Sequence, residues 1–421
     1  MPVTSVQPLL ETPPESASTE STQHSHRSDN LLEKARAIAD CAAIHAASID
    51  CIGAFPEEGF KQLAASGFLQ APLRSELGGL GLGFQSHQTW LTLRILKHIG
   101  RGNLSMGRVY EGHVNALQLV QTFGTSAQVK KYAQDARNNK VFGVWNAEAE
   151  DGVKLIPIGS GSYRIEGSKT FCSGCGYVER PFVNGALPDG QWQMCIVPME
   201  KVSVDVDPSW WQPSGMRASA SYKVDFTGVE LTAEDILAQP ADYFRQPWLT
   251  AGVIRFAAVQ LGGAEALFDA TRTYLQGMGR IDHPHQQARL GKMAIALEQG
   301  NLWLQGSAHQ VNSYAPIFGG PYTSPETTHT ESAQASESQI NTAQLVSYAN
   351  MTRTAIEQIC IDMMQLAERC VGTRGLLPPH PMERIIRDLT LYLRQPAFDI
   401  SLTSVGQHVL EQTQPASELW T

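Results

Sequence analysis

Apolar residues recur near the start of the chain with the period of a helix. Leu31, Leu32, Ala35, Ile38, Ala39 and Ala42 fall on one stripe. Phe55-Pro56-Glu57-Glu58 opens a second helix, with proline in the first turn and two acids at the positive end of the helix dipole. Gly67 ends it, and Gly78-Gly79-Leu80-Gly81 reads as a loop. From Val141 to Leu231 the period shortens to two. Tyr222, Val224 and Phe226 alternate with Lys223 and Asp225, and Trp192, Met194 and Ile196 alternate with Gln191, Gln193 and Cys195. Glycine and proline punctuate this stretch at roughly 8–12-residue intervals, which predicts antiparallel strands in a small barrel or sandwich. Helical periodicity returns after Gln246. Ala251 to Leu275 is apolar on nearly every face, so it belongs inside a bundle. Gly262-Gly263 within it costs helix propensity and points to close backbone contact.

The expected organisation is mainly α with a central β domain. Residues 1–29 form a disordered N-terminal segment of Pro, Ser, Thr and Glu. A helical domain spans 30–139, a β-barrel domain 140–233 and a helical bundle 240–412. Within the bundle, the Ser-, Thr-, Glu- and His-rich stretch 321–338 reads as a mobile insert ahead of a second long buried helix, Ile340 to Cys370. Helices, then strands, then helices is an uncommon order and narrows the fold.

Composition removes several classes of function. The 421 residues carry 32 basic and 41 acidic side chains, a net charge of −9, with no basic run, which argues against a nucleic-acid partner. No stretch of 18 uninterrupted apolar residues predicts a membrane span. The N-terminus lacks the basic start and apolar stretch of a signal peptide, and seven cysteines is an odd number, so a reducing, cytoplasmic setting is expected. Cys172 and Cys175 form a C-x-x-C pair without a second pair at ligand spacing. No metal site is expected, and two small thiols in a tight turn is the plainer reading.

Six segments in order resemble the acyl-CoA dehydrogenase superfamily. They are Phe55-Pro56 with Gly67-Phe68, Pro72 and Gly78-Gly79-Leu80-Gly81; Phe123-Gly124-Thr125 with Gln128, Lys131 and Tyr132; Gly167-Ser168-Lys169-Thr170-Phe171-Cys172-Ser173-Gly174; Gly215-Met216-Arg217-Ala218-Ser219; Val224-Asp225-Phe226-Thr227-Gly228-Val229; and Gly372-Thr373-Arg374-Gly375 followed by Arg387-Asp388. The likeness runs from Asn30 to His408. It implies an N-terminal helical domain, an antiparallel β barrel and a C-terminal four-helix bundle holding FAD, in a homodimer or homotetramer. It also implies a flavin site built from Trp145, Asn146, Phe171, Cys172 and Ser173, with Gly372, Thr373, Arg374 and Gly375 serving the cofactor of a neighbouring subunit and Arg280 standing where the family often has an arginine for FAD. The physics agrees, because a flavin ring needs flat walls and a few aimed polar groups. Without the family context, Trp145 and Phe171 read as barrel core.

The resemblance breaks at the chemistry. Family members remove an α proton from an acyl thioester with a glutamate that follows the Arg-Asp pair. Here that register lands on Pro396, which has neither an acid nor an N–H. The alternative position on the buried helix falls at Gly252, and the arginine that some members use for CoA falls at Val253, with Arg255 on another side of the helix. Asp399 is the nearest remaining carboxylate, and it also reads as a first-turn helix acid. His380 and His408 are further proton carriers by residue type, or ordinary surface. Three functions follow. The first is an FAD-dependent oxidoreductase acting on CH–CH bonds of an acyl thioester or related small molecule, with an atypical base and an electron acceptor. The second is a flavin monooxygenase fed by a partner reductase. The third is a scaffold subunit without catalysis.

Overall fold

The computed structural model describes residues 15–248, 252–313, 332–395 and 398–420. Ten helices are labelled here among the described residues. They are α1 (Glu15–His45), α2 (Glu57–Ala65), α3 (Thr89–Gly102), α4 (Leu104–Phe123), α5 (Ser126–Arg137), α6 (Val253–Gly277), α7 (Pro284–Ser313), α8 (Ser332–Gly375), α9 (Met382–Tyr392) and α10 (Phe398–Glu411). Helix α1 starts at Glu15, inside the stretch expected to be disordered. Its Ser, Glu and Gln tolerate a helix propagated from the apolar stripe behind them. Helix α8 likewise starts at Ser332, within the expected insert, whose first part lies outside the described residues.

Leu32, Ala35, Ile38, Ala39 and Ala42 are buried, so the apolar stripe of α1 does face a core, formed with α3. Helix α3 in turn packs along α6, and glycine makes this approach possible. A Cβ on Gly262 would overlap the Lys97 carbonyl, and one on Gly100 would overlap the Val259 carbonyl. The close backbone contact read from Gly262-Gly263 is therefore between α6 and α3.

Helix α4 is buried on almost every side. Asn103 caps it, accepting from the Met106 N–H at 2.9 Å. Its polar side chains staple the N-terminal loops. Tyr110 donates to the Phe68 carbonyl (3.1 Å) and Gln121 to the Pro72 carbonyl (3.0 Å). His113 Nδ1 accepts from the Phe142 N–H (3.0 Å), and Nε2 lies 2.7 Å from the Leu69 carbonyl, so the neutral tautomer with the proton on Nε2 satisfies both.

The β domain holds two sheets. The larger runs in the order β10 (Glu230–Leu231), β4 (Ser162–Glu166), β3 (Lys154–Gly159), β6 (Arg180–Ala186), β7 (Trp192–Ile196) and β11 (Ile236–Leu237), with β1 (Phe142–Val144) beside β6. The smaller runs in the order β2 (Ala147–Glu148), β5 (Ser168–Cys172), β9 (Tyr222–Asp225) and β8 (Asp205–Asp207). Antiparallel pairing dominates, but β1 and β3 (Lys154–Gly159) both pair parallel to β6. The alternation read at Trp192 to Ile196 does not mark a half-exposed strand. That strand, β7, is central, and Gln193 and Cys195 are buried too. Gln193 is satisfied by the Leu237 carbonyl at 2.6 Å.

The β domain is clamped to the bundle by the Arg-Asp pair of α9. Asp388 accepts from the Met216 N–H (2.6 Å), and Arg387 donates to the Ser214 carbonyl (2.8 Å) and to Asp50 (2.5 Å). Gly215 between them has no room for a side chain, because a Cβ would overlap the Arg387 carbonyl.

Two outcomes follow. Gly262→Ala forces α3 and α6 apart and should lower stability by about 1–3 kcal/mol. Gly291→Ala on α7, where nothing lies within 4 Å of the new methyl, should raise it by about 0.5–1 kcal/mol. Thermal melts of the two variants should move in opposite directions. Burial also lowers the His113 pKa to about 4. The neutral form is native, so its stabilisation is complete above the unfolded value near 6.5 and is lost as pH falls towards 4, a span worth about 3 kcal/mol. Denaturant midpoints between those pH values should fall less steeply for His113→Gln than for the wild type.

Candidate active site at the seam between the β domain and the bundle

Strand β1 runs into Trp145, which is buried and donates its indole N–H to the Ser173 carbonyl at 2.9 Å. That bond ties the end of β1 to the segment after β5. Its neighbour Asn146 donates to the Tyr243 hydroxyl, while Asn146 Oδ1 is buried without a partner. Phe171, at the end of β5, is 49% exposed, so it is a wall rather than barrel core. Its ring stands edge-on to Trp210 (4.8 Å) and Trp211 (6.0 Å). The next side chain, Cys172, is buried in the core, with Sγ 3.5 Å from the Lys169 carbonyl. Burial pushes this thiol up, and it belongs to the barrel rather than to the seam. Cys175 closes a turn onto the Cys172 carbonyl (3.1 Å).

Facing this segment is the loop 216–221. Gly174 N–H donates to the Ser219 carbonyl (2.7 Å), and Ser173, Ser221 and Ser219 form a buried chain of hydroxyls with spacings of 2.8 and 2.7 Å. Phe171, Met216 and Ala220 all take positive φ (51°, 55° and 42°). Each costs about 1 kcal/mol or more, and such strain concentrates where a backbone is shaped for a ligand. Trp211 Nε1 and Arg217 Nε join Asn146 Oδ1 among the buried atoms without a hydrogen-bond partner. A half-exposed aromatic wall, a strained loop and orphaned polar atoms together fit a flat ring with a polar edge, which is the shape of a flavin.

Behind the seam lies a buried charged cluster that sequence reasoning missed. Arg108 and Asn115 both hold Glu111, at 2.6 and 2.8 Å. Arg255 enters from α6, bonding Asn115, Gln118 and the Gly83 carbonyl. It is buried and turned inward, and burial lowers its pKa to about 10. Burial pushes the Glu111 carboxyl up, opposed by Arg108 and Arg255. The Tyr392 hydroxyl, at the end of α9, is buried within reach of the Glu111 and Arg108 charges and has no hydrogen-bond partner. The signal was present. Arg108, Glu111, Asn115 and Gln118 follow helical spacing on an otherwise buried helix.

The other expected residues stand elsewhere. Gly372 kinks α8 with φ +59°, leaving Thr373 and Arg374 exposed and Gly375 packed on Val371. This kink meets the end of α6, where His380 sits edge-on to Tyr274 (4.9 Å) and Gln286 bonds the Cys370 carbonyl (3.1 Å). Arg280 is exposed just after α6. Pro396 lies outside the described residues. Gly252 precedes α6 and supplies no acid. Asp399 is exposed in the first turn of α10, on the side of Glu357 and Arg394, and His408 packs near Trp420. An open cleft of about 570 Å³ lined by His26, Arg27, Lys34, Gln70 and Gly79 shares no residue with the seam. No group of three or more potential metal ligands occurs among the described residues, and no helix among them is long and apolar enough to cross a membrane.

The chain is 22% identical over 386 residues to a dibenzothiophene monooxygenase of Rhodococcus erythropolis, covering 84% of this chain and 87% of that one. Its fold matches the crystal structure of a dibenzothiophene monooxygenase from Paenibacillus sp. A11-2, solved with FMN and with indole, at a TM-score of 0.77 and 20% identity, covering 93% of this chain and 100% of that chain. Methanesulfinate monooxygenase from Pseudomonas fluorescens matches at a TM-score of 0.74 and 20% identity, over 93% and 99% of the two chains. The expectation of FAD is corrected by the Paenibacillus structure and by that of KijD3, a sugar-nucleotide complex matching at a TM-score of 0.78 and 16% identity, because the flavin each holds on this fold is FMN. FMN lacks the adenylate half for which an exposed glycine loop would be needed. The relatives favour the oxygenase reading over the thioester one. The model of the acyl-CoA dehydrogenase N-terminal domain matches residues 25–139 and that of the C-terminal domain residues 254–394, more than half of the sequence together, and the chain belongs to the acyl-CoA dehydrogenase superfamily.

Proposed function

We propose that this protein is a flavin-dependent monooxygenase that takes up reduced FMN from a partner reductase and oxygenates a small molecule. One observation carries the reading. The seam offers a flat aromatic wall and orphaned polar atoms, while no carboxylate stands there at the family's alternative base position, which is Gly252. When bound in the reduced state, FMN supplies the two electrons with which O2 gives one oxygen atom to the substrate and the other to water.

The chain's own part is to hold and to shield. Phe171 walls the ring, with Trp210 and Trp211 bracing it from behind. Asn146 Oδ1 and the indole N–H of Trp211 are an acceptor and a donor awaiting a polar edge. Trp145 acts indirectly, fixing Ser173 through its indole bond. Ser173, Ser219 and Ser221 form a hydroxyl chain able to reorient protons without moving the backbone. Asp399, the carboxylate closest in sequence to the family's base position, has no part in this scheme.

Oxidised FMN should bind, and Phe171→Ala should weaken it by about 1–3 kcal/mol, roughly 5- to 150-fold in Kd. Phe171 is a cleaner probe than Trp145, whose truncation would also empty the core. Photoreduced FMN, the protein, O2 and a panel of indole, dibenzothiophene and methanesulfinate should yield an oxygenated product carrying ¹⁸O from ¹⁸O2. Anaerobic bleaching of the oxidised flavin by acyl-CoA, with no oxygen incorporated into any compound, would instead establish the dehydrogenase reading.

The oligomer belongs to the same proposal. Ile400, Leu402 and Leu410 on α10 and Ile295 and Leu302 on α7 are exposed apolar side chains on helices of the bundle. We expect a closed homodimer or homotetramer to cover them. Light scattering should report a mass of at least twice the 46.0 kDa chain, and a monomer would refute it.

A further inference from the structure

The cluster behind the seam is unbalanced. Glu111, Arg108 and Arg255 are its charged members, two guanidiniums for one carboxylate. Glu111 spends both oxygens, one on Arg108 and one on Asn115. Arg255 is consumed by Asn115, Gln118 and Gly83. Arg108 is not. One nitrogen holds Glu111, while its other guanidinium N–H groups have no partner among the described residues, and the side chain keeps 19% of its surface open. It stands beside the end of β1. A Cβ on Gly112 would meet Arg108 Nη1 at 3.4 Å and the Val144 nitrogen at 3.7 Å, so the guanidinium and the strand that leads into Trp145 flank the same spot on α4. The Tyr392 hydroxyl is the second unspent group here. It is 2% exposed, has no hydrogen-bond partner, and feels the charges of Glu111 and Arg108.

A net positive charge in a largely buried place is costly unless an anion completes it. A guanidinium with one edge committed presents its other edge as a fork, which matches two oxygens on one atom. We propose that Arg108, assisted by the Tyr392 hydroxyl, anchors a compact organic oxyanion, a carboxylate or sulfinate, as the substrate group of this site. Glu111 orients Arg108 and competes with the ligand for it. The polar floor disfavours a long acyl chain or a bare polycyclic arene, since either would bury these charges without partners. The inference rests on the oxygenase reading only for what happens to the bound molecule, since the binding step requires no turnover.

Calorimetry on the full chain tests it with benzoate and its neutral isostere benzamide, and with methanesulfinate. Both anions should bind, and benzoate should exceed benzamide by at least about tenfold, the lower end for a charge-assisted pair. Arg108→Gln should erase that preference while leaving benzamide unchanged, and Arg108→Lys should restore part of it. Glu111→Gln should tighten benzoate, because it removes the competing carboxylate, whereas a merely structural Glu111 would weaken it. Tyr392→Phe should cost benzoate several-fold with circular dichroism unchanged. Equal affinity for benzoate and benzamide, no anion binding, or benzoate binding indifferent to Arg108→Gln would each overturn the proposal. Anion binding that follows Arg108, with no oxygen transfer to any compound, would sink the oxygenase reading and leave the anchor standing. Oxygenation of neutral indole without anion binding would do the reverse.

Discussion

Helix α4 has almost no solvent face, and every polar side chain on it must be satisfied from inside the protein. That constraint organises the molecule. Tyr110, His113 and Gln121 meet it by holding the loops at Phe68, Leu69 and Pro72, and His113 reaches across to β1 as well. Arg108, Glu111, Asn115 and Gln118 meet it by drawing Arg255 inward from α6. One helix thereby fixes the N-terminal loops, the first strand and the start of the bundle's central helix. Arg108, 19% open, commits one nitrogen to Glu111 and leaves its other edge free.

The seam is the second consequence. Two domains of different periodicity meet along a line where neither can supply regular hydrogen bonds. Asp388 and Arg387 pin the loop at Ser214 to Met216, and Gly215 lets the backbones touch. The positive φ values at Met216 and Ala220 sit within a few residues of that clamp, and Phe171 faces them across the seam. The clamp over-determines the loop, and that is how strained backbone persists in a folded protein. The Arg-Asp pair, which by resemblance accompanies a cofactor loop, here works as the fastener between domains.

Fold and chemistry part company in this protein. The superfamily architecture is complete, yet Gly252 supplies no acid where some members carry their base, and Asp399 faces outward beside Glu357. A scaffold that surrounds a flat cofactor with rigid strands and helices does not depend on which group abstracts a proton, so the base is free to be lost when the reaction changes.

Helical stripes, the period-two block and their order follow from sequence alone, because each reflects which side of an element meets water and which meets core. Gly262 was legible too, since a glycine inside an apolar helix costs propensity that a closely packed neighbouring backbone can offset. Trp145, Phe171 and Ser173 could be named from resemblance, but the positive φ at Phe171 and the register shift of β5 decided that Phe171 looks out while Cys172 is buried. Burial on both faces of β7 was hidden, because Gln193 is polar by type and apolar by location. The ionic cluster required tertiary structure. Arg108 and Arg255 are separated by the whole β domain in sequence, and Tyr392 lies farther still along the chain. Nothing local in the chain says that charges so distant share one buried space, whose cost and chemistry exist only once α4, α6 and α9 have closed around it.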